Sequence, residues 1–327
     1  MPLLLVIVAA TWAVPPSSLA QPVYGTDNVA LSNGVIMPMA ATGVWRFSDA
    51  EAEKGVTDAI AAGFRHIDTA NNYSNQHGVG VALKGHDRSS IFLTTKIESC
   101  DSLKALETCR VFTQTKLEED LSQLALDYVD LMLLHNPPGG GCRIPLNCQI
   151  IQEQWRAMQE FYFNGSARAI GVSNFCQDCF ECLASSKHST VMPMVNQIRY
   201  HVGMGRDLYG LISYMHDKGI VPQAWSPLAR GTLAHDFDTK AIAAGLSTDK
   251  LDITAAQVAL RWLVQHRIAV VSAAKDPIFL AQNSAIFDFE LAEADMARLD
   301  AKNDSSDTPS FLGSLLLLLL LLQLLLL

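Results

Sequence analysis

Four side chains able to hold or move protons follow short apolar runs in this chain. Asp68 closes the run RHID and is followed five residues on by Tyr73, Lys96 closes IFLTTK, and His135 follows VDLMLL. A phenol alone is a poor acid at neutral pH, its ordinary pKa being about 10. An ammonium beside it stabilises the phenolate and draws that value down, and a carboxylate keeps the ammonium charged and in place. An imidazole can donate a hydrogen bond to a substrate oxygen that gains charge, as an oxyanion hole does. Together these groups would protonate a carbonyl while a hydride arrives from elsewhere, the general acid contributing about 10² to 10⁴ in rate. Taken singly they are ordinary, since an Asp at a strand end commonly caps a turn and a loop Tyr is commonly a surface aromatic.

The apolar runs that must position these residues recur through the chain. Strands are expected over 39–42, 65–68, 91–96, 129–134, 167–172, 194–197, 220–225 and 268–272, each followed by a segment with helical spacing of apolar residues. The first helix opens on a capping box from Ser48 to Glu51 and ends at Gly63, and the helix after strand seven is capped by Thr254. The stretch 229–250 reads as a long loop. Eight alternations with apolar strands predict a closed parallel (β/α)8 TIM barrel, an α/β fold. Ser32-Asn33-Gly34 between two short apolar runs adds an N-terminal β-hairpin. No GxGxxG follows the first strand, which argues against a doubly wound open sheet.

In such a barrel the C-terminal strand ends share one face, where active sites lie. The tetrad then converges there with Ser173, Asn174, Gln197 and Trp225. No metal or flavin signature appears, and the strand-end residues suit a nicotinamide, Trp225 offering a flat face and Ser173, Asn174 and Gln197 partners for its carboxamide. The loops after strands seven and eight form the usual phosphate site, and Ser226 and Leu228 stand in the first of them.

The motifs GFRHIDTANNYSN, LTTKI, LDYVDLMLLHNP, AIGVSNF, VNQIRYH and QAWSPLARG together resemble the aldo-keto reductase superfamily, over about 29–301. The resemblance implies a carbonyl reductase using NAD(P)H, with Asp68, Tyr73, Lys96 and His135 as catalytic tetrad. It also implies nicotinamide contacts at Ser173, Asn174, Gln197 and Trp225, a substrate-pocket tryptophan at Trp45, and an adenine contact at Asn283. The departure lies near the eighth strand, VSAAKDPIFLAQN. Ala273 and Phe279 stand where NADPH-selective members carry a Lys and an Arg for the 2′-phosphate. NADP is expected with Lys275 as a substitute charge, and NAD is possible. A non-catalytic nicotinamide-binding auxiliary or scaffold protein of the same fold is the alternative, and would show loss of Tyr73 or Lys96.

The net charge of −9 disfavours nucleic acid and anionic membranes as partners. The expected partner is a small-molecule carbonyl substrate, and the expected state a monomer. Residues 1–20 have the shape of a signal peptide cleaved after Ala20, although the basic n-region is missing. Residues 21–303 form the barrel domain, and 304–327 a low-complexity hydrophobic tail that is either a GPI-attachment signal or a leucine repeat without function. Secretion or the extracellular space is favoured by the N-terminus, with the cytoplasm as alternative. In an oxidising lumen Cys100 with Cys109 and Cys142 with Cys148 are expected as local disulfides. Cys176, Cys179 and Cys182 then leave at least one thiol, and read as buried small side chains rather than metal ligands. Sequons stand at Asn72, Asn164 and Asn303, the first beside Tyr73, where a glycan and catalysis would conflict.

Overall fold

The computed structural model describes residues 21–100, 106–139, 141–248 and 252–303. The signal-peptide and hydrophobic-tail expectations lie outside them. The N-terminus makes a small antiparallel sheet of β1 (Val23–Tyr24), β2 (Asn28–Ala30) and β3 (Ile36–Pro38). The expected hairpin is present, and β1 adds a third strand to it. Asn33 fixes this sheet at the N-terminal end of the barrel: its side-chain oxygen accepts the Val35 amide at 3.1 Å, and its Nδ2 donates to the Arg168 carbonyl at 2.9 Å.

Eight parallel strands then close a barrel: β4 (Ala40–Gly43), β5 (His66–Asp68), β6 (Phe92–Ile97), β7 (Val129–Leu134), β8 (Ala167–Ser173), β9 (Val195–Arg199), β10 (Val221–Trp225) and β11 (Ala269–Ser272). Each pairs with its sequence neighbour, and β11 returns to β4 with Val270 opposite Ala40. Nearly every strand residue is buried because one face fills the barrel interior and the other packs on helices. The helices are α1 (Asp49–Ala61), α2 (Gln76–Leu83), α3 (Leu106–Leu124), α4 (Pro145–Phe163), α5 (Gln177–Ala184), α6 (Leu211–Asp217), α7 (Phe237–Leu246), α8 (Ala255–Gln265), α9 (Pro277–Ser284) and α10 (Glu293–Asp300).

Both expected capping boxes form, Ser48 with Glu51 on α1 and Thr254 with Gln257 on α8. Helices α2 and α3 touch backbone to backbone at Gly80, where any Cβ would strike the Leu124 carbonyl. That contact brings the segment after β5 close to α3.

The stretch 229–250 departs from the expected loop, since it contains α7, capped by Asp236. Its buried face is only Thr239, Ile242 and Ala243, too narrow a stripe to stand out in the sequence. Lys302 beyond α10 ties Asp236 and Asp238 at 3.0 and 2.8 Å.

Three disulfides form among the described residues. Cys100–Cys109 is as expected, with Cα atoms 5.5 Å apart. Cys142 and Cys148 do not pair with each other. Cys142 joins Cys179 and Cys148 joins Cys182, Cα separations 5.0 and 5.7 Å, and Cys176 keeps a free thiol. Packing is the reason: α4 lies along α5, so the nearest sulfur to each is on the neighbouring helix rather than across the short loop. Cys179 and Cys182 are therefore buried and bonded, where the sequence suggested buried small side chains.

Candidate active site

The residue that anchors the site is Lys96, whose β6 position turns it into the barrel, where it is fully buried. Its ammonium donates to Asp68 Oδ1 at 2.6 Å, to the Thr69 carbonyl at 2.8 Å and to Tyr73 Oη at 3.4 Å. Asp68 ends β5, the neighbouring strand, and its second oxygen accepts from Gln197 Nε2 at 2.8 Å. Tyr73 closes a single 3-10 turn, Asn71–Tyr73, with Ser74 in the left-handed region at φ 56°. His135 follows β7, and its ring meets Tyr73 edge-on with centroids 5.7 Å apart. Asn75 clamps the surrounding loops. It accepts from Thr69 Oγ1 and donates to the carbonyls of Val44 and Phe47 at 2.8 and 3.0 Å, which fixes the segment carrying Trp45 against the tyrosine turn.

Burial sets the charge states. Desolvation and the nearby Lys96 push His135 down to about 3, so the ring is neutral, and its Nδ1 has no hydrogen-bond partner among the described residues. Burial also pulls Lys96 down, but Asp68 and Tyr73 more than offset it and hold the group above the usual lysine value. For Tyr73 the direction differs from the sequence expectation. Burial raises it, and the Lys96 charge opposes that rise without reversing it. The phenol thus stays protonated at neutral pH, with an ammonium in reach of the oxygen that would become negative.

The cofactor candidates at the strand ends are brought together. Trp225 donates its indole N–H to Asn174 Oδ1 at 3.0 Å, and Asn174 donates to the His135 carbonyl at 3.0 Å. Ser173 Oγ donates to the Gln197 carbonyl at 2.8 Å. Asn174 and Ser226 both turn the chain in the left-handed region, φ 61° and 56°, directly beyond β8 and β10. Leu228 is partly buried against the core at the start of the next 3-10 turn. Trp45 stands at the rim, 52% exposed, with the Arg46 guanidinium over its ring. Two candidates sit apart. Lys275 is bound to Glu51 of α1 at 2.7 Å, and Asn283 is buried, its Nδ2 3.5 Å from Ser272 Oγ.

Two groups next to the tetrad escaped the reading of the sequence. Gln223, fully buried on β10, accepts from Gln197 Nε2 at 2.8 Å. Its signal was an amide at an alternate position of the apolar run VPQAW, the periodicity that faces Trp225 inward. Asp120, fully buried on α3, accepts from Asn71 and Gln76 on either side of Tyr73. Its signal was weaker, one more acid in the charged stretch KLEED.

A protonated phenol beside a fixed ammonium, at the C-terminal mouth of a parallel barrel, suits the delivery of a proton to an oxygen that is gaining charge. These are the features of a barrel oxidoreductase that acts on carbonyls. Residues 33–304 match the family model of the Aldo/keto reductase family. The chain is 37% identical to a glyoxal reductase of Bacillus subtilis over 280 residues, covering 85% of this chain and 93% of that one. It is 36% identical to morphine 6-dehydrogenase of Pseudomonas putida, covering 83% and 90% of the two chains. A crystal structure of an aldo/keto reductase from Brucella melitensis superimposes with a TM-score of 0.72 at 35% identity, covering 84% of this chain and 98% of that one. The chain belongs to the aldo/keto reductase family, and is an NAD(P)H-dependent enzyme that reduces an aldehyde or ketone to an alcohol.

Proposed function

We propose that Tyr73 is the general acid of this reduction, with Lys96 and Asp68 setting its acidity and His135 orienting the substrate oxygen. The observation that carries the reading is the Lys96 ammonium lying within hydrogen-bonding distance of both Asp68 and Tyr73. Neutral His135 offers an N–H to the carbonyl oxygen without adding a charge that would repel Lys96. Tyr73 gives its proton as that oxygen becomes an alkoxide, and the phenolate left behind is stabilised by the ammonium. Asp68 keeps the ammonium from turning away.

The residues at the mouth fit a nicotinamide. Gln197 commits its amide nitrogen to Asp68 and Gln223, so its side-chain oxygen is the atom left to accept a carboxamide N–H. Trp225 supplies a flat face, and Ser173, Asn174, Ser226 and Leu228 line the turns around it. A bound reduced nicotinamide supplies the hydride. NADPH is the proposed carrier, supported by the family and by Lys275. NADH is proposed as a second carrier, because Ala273 and Phe279 leave no bidentate phosphate ligand and Glu51 competes for Lys275. The disulfides support passage through an oxidising compartment.

The test is loss of NADPH absorbance with a generic aromatic aldehyde. Turnover in the wild type and a loss of about 10²-fold or more in Tyr73→Phe are expected. A silent wild type, or full turnover in Tyr73→Phe, overturns the reading. An auxiliary, non-catalytic role would be marked by a missing Tyr73 or Lys96, and both are in place.

A further inference from the structure

The turn that carries Tyr73 is short, and Asn75 clamps the chain only beyond its end. It is one 3-10 turn of three residues, without a side-chain cap at its start and with Ser74 in the left-handed region at its end. Tyr73 itself is held by its amide on the Ala70 carbonyl, 3.1 Å, by the edge-on His135 ring and by the long 3.4 Å contact to Lys96. Phenol-to-ammonium distance decides how well the phenolate is stabilised, so something must fix this turn relative to β6.

That something lies outside the barrel wall, on α3. Asp120 Oδ1 accepts from Asn71 Nδ2 at 2.6 Å and from Gln76 Nε2 at 2.7 Å. Asn71 opens the tyrosine turn and Gln76 opens α2, so one oxygen grips the chain two residues before Tyr73 and three residues after it. Gln76 Oε1 in turn accepts from Thr95 Oγ1 at 2.6 Å, and Thr95 precedes Lys96 on β6. The path Asn71–Asp120–Gln76–Thr95 therefore joins the residues flanking the phenol to the residue adjoining the ammonium. The close backbone contact of α2 with α3 at Gly80 keeps Asp120 within reach.

We propose that Asp120 is a positioning residue for Tyr73, holding its turn through Asn71 and Gln76 so that the phenol stays within reach of Lys96. The inference rests on the reading of Tyr73 as the general acid. The hydrogen bonds Asp120 receives come from two amides and, at 3.5 Å, the Thr95 hydroxyl, and Lys116 on its own helix is bound to Glu119. With no ion pair to Asp120 among the described residues, burial pushes the carboxyl up to about 7. A neutral side chain of the same shape can replace it, because the amide oxygen of an Asn still accepts from both donors.

Three variants and a readout independent of turnover test this. The titration of Tyr73 is taken from the difference in tyrosinate absorbance between each protein and its Tyr73→Phe counterpart. Asp120→Ala is expected to raise the Tyr73 titration midpoint, lower kcat about tenfold or more and leave the cofactor Kd, read by tryptophan fluorescence, within about twofold. Asp120→Asn is expected to restore both the midpoint and kcat to near the wild type. Should Asp120→Ala not fold, Asn71→Ala removes the same tether from the other end and is expected to shift the midpoint in the same direction. An unchanged midpoint in Asp120→Ala or Asn71→Ala overturns the proposal. A wild type with no turnover overturns the catalytic reading instead, and the midpoint still decides whether Asp120 holds the tyrosine.

Discussion

In the proposed mechanism Tyr73 and Lys96 divide the work of an acid between them. Burial keeps the phenol protonated, while the ammonium lowers the cost of losing that proton. Reduction needs the protonated form, so kcat should be level at low pH and fall as pH rises through the Tyr73 pKa. In Lys96→Gln the downward pull on that pKa is gone, and the falling limb should move to higher pH while the plateau drops. A pH–rate profile of both proteins checks this, and an unmoved limb would show that Lys96 does not touch the acidity of Tyr73. At the far end of the proposed cofactor site, Glu51 holds Lys275 and is itself drawn down to about 2 by the Lys275 and Ser48 hydrogen bonds. Glu51→Gln frees Lys275 and keeps the capping box, which works with Gln as well as Glu. KM for NADPH relative to NADH should fall about two- to fivefold, a small change in keeping with an exposed, solvent-screened ion pair. An unchanged ratio would remove Lys275 from the phosphate site.

At the scale of elements, two bridges to α5, one from α4 and one from the loop before it, brace the segment that leads out of His135. The sequence announced the helices through their caps and glycines, and the Ser48–Glu51 and Thr254–Gln257 boxes form where expected. It did not announce the pairing of Cys148 with Cys182, because that depends on which helices become neighbours. Because Cys142–Cys179 already closes nearly the same loop, Cys148–Cys182 closes only the short ring through 142–148 and 179–182, which removes less than the roughly 4 kcal/mol of an isolated 34-residue loop in the chain-entropy account. Cys148→Ser with Cys182→Ser should therefore lower Tm by several degrees in calorimetry. Equal Tm values for the variant and the oxidised wild type would mean that the bridge contributes nothing to the native fold. Helix α7 was hidden for a related reason, since its short apolar stripe gains its helical form from packing on α8 and from the Lys302 ion pairs.

For the whole molecule, the charge of −9 and the closed barrel fit a small-molecule enzyme whose anionic cofactor is held by local groups. Among the described residues no helix is long and apolar enough to cross a membrane. Asn72, Asn164 and Asn303 are exposed, and Asn72 is on the outside of the turn whose Tyr73 hydroxyl reaches inward to Lys96. Intact-mass and N-terminal analysis of the native protein, before and after removal of N-linked glycans, tests the proposed export. A chain starting at Gln21 is expected, and one starting at Met1 removes the signal-peptide reading. The eight strands and the meeting of Asp68, Tyr73, Lys96 and His135 at one barrel face could be read from sequence alone, because buried parallel strands must be apolar and polar residues ending such strands share one face. The tertiary structure alone decided the sign of the Tyr73 shift, the partners of Cys142 and Cys148, the capture of Lys275 by Glu51 and the place of Asp120. Each depends on distance between segments far apart in the chain, and local composition carries no record of that distance.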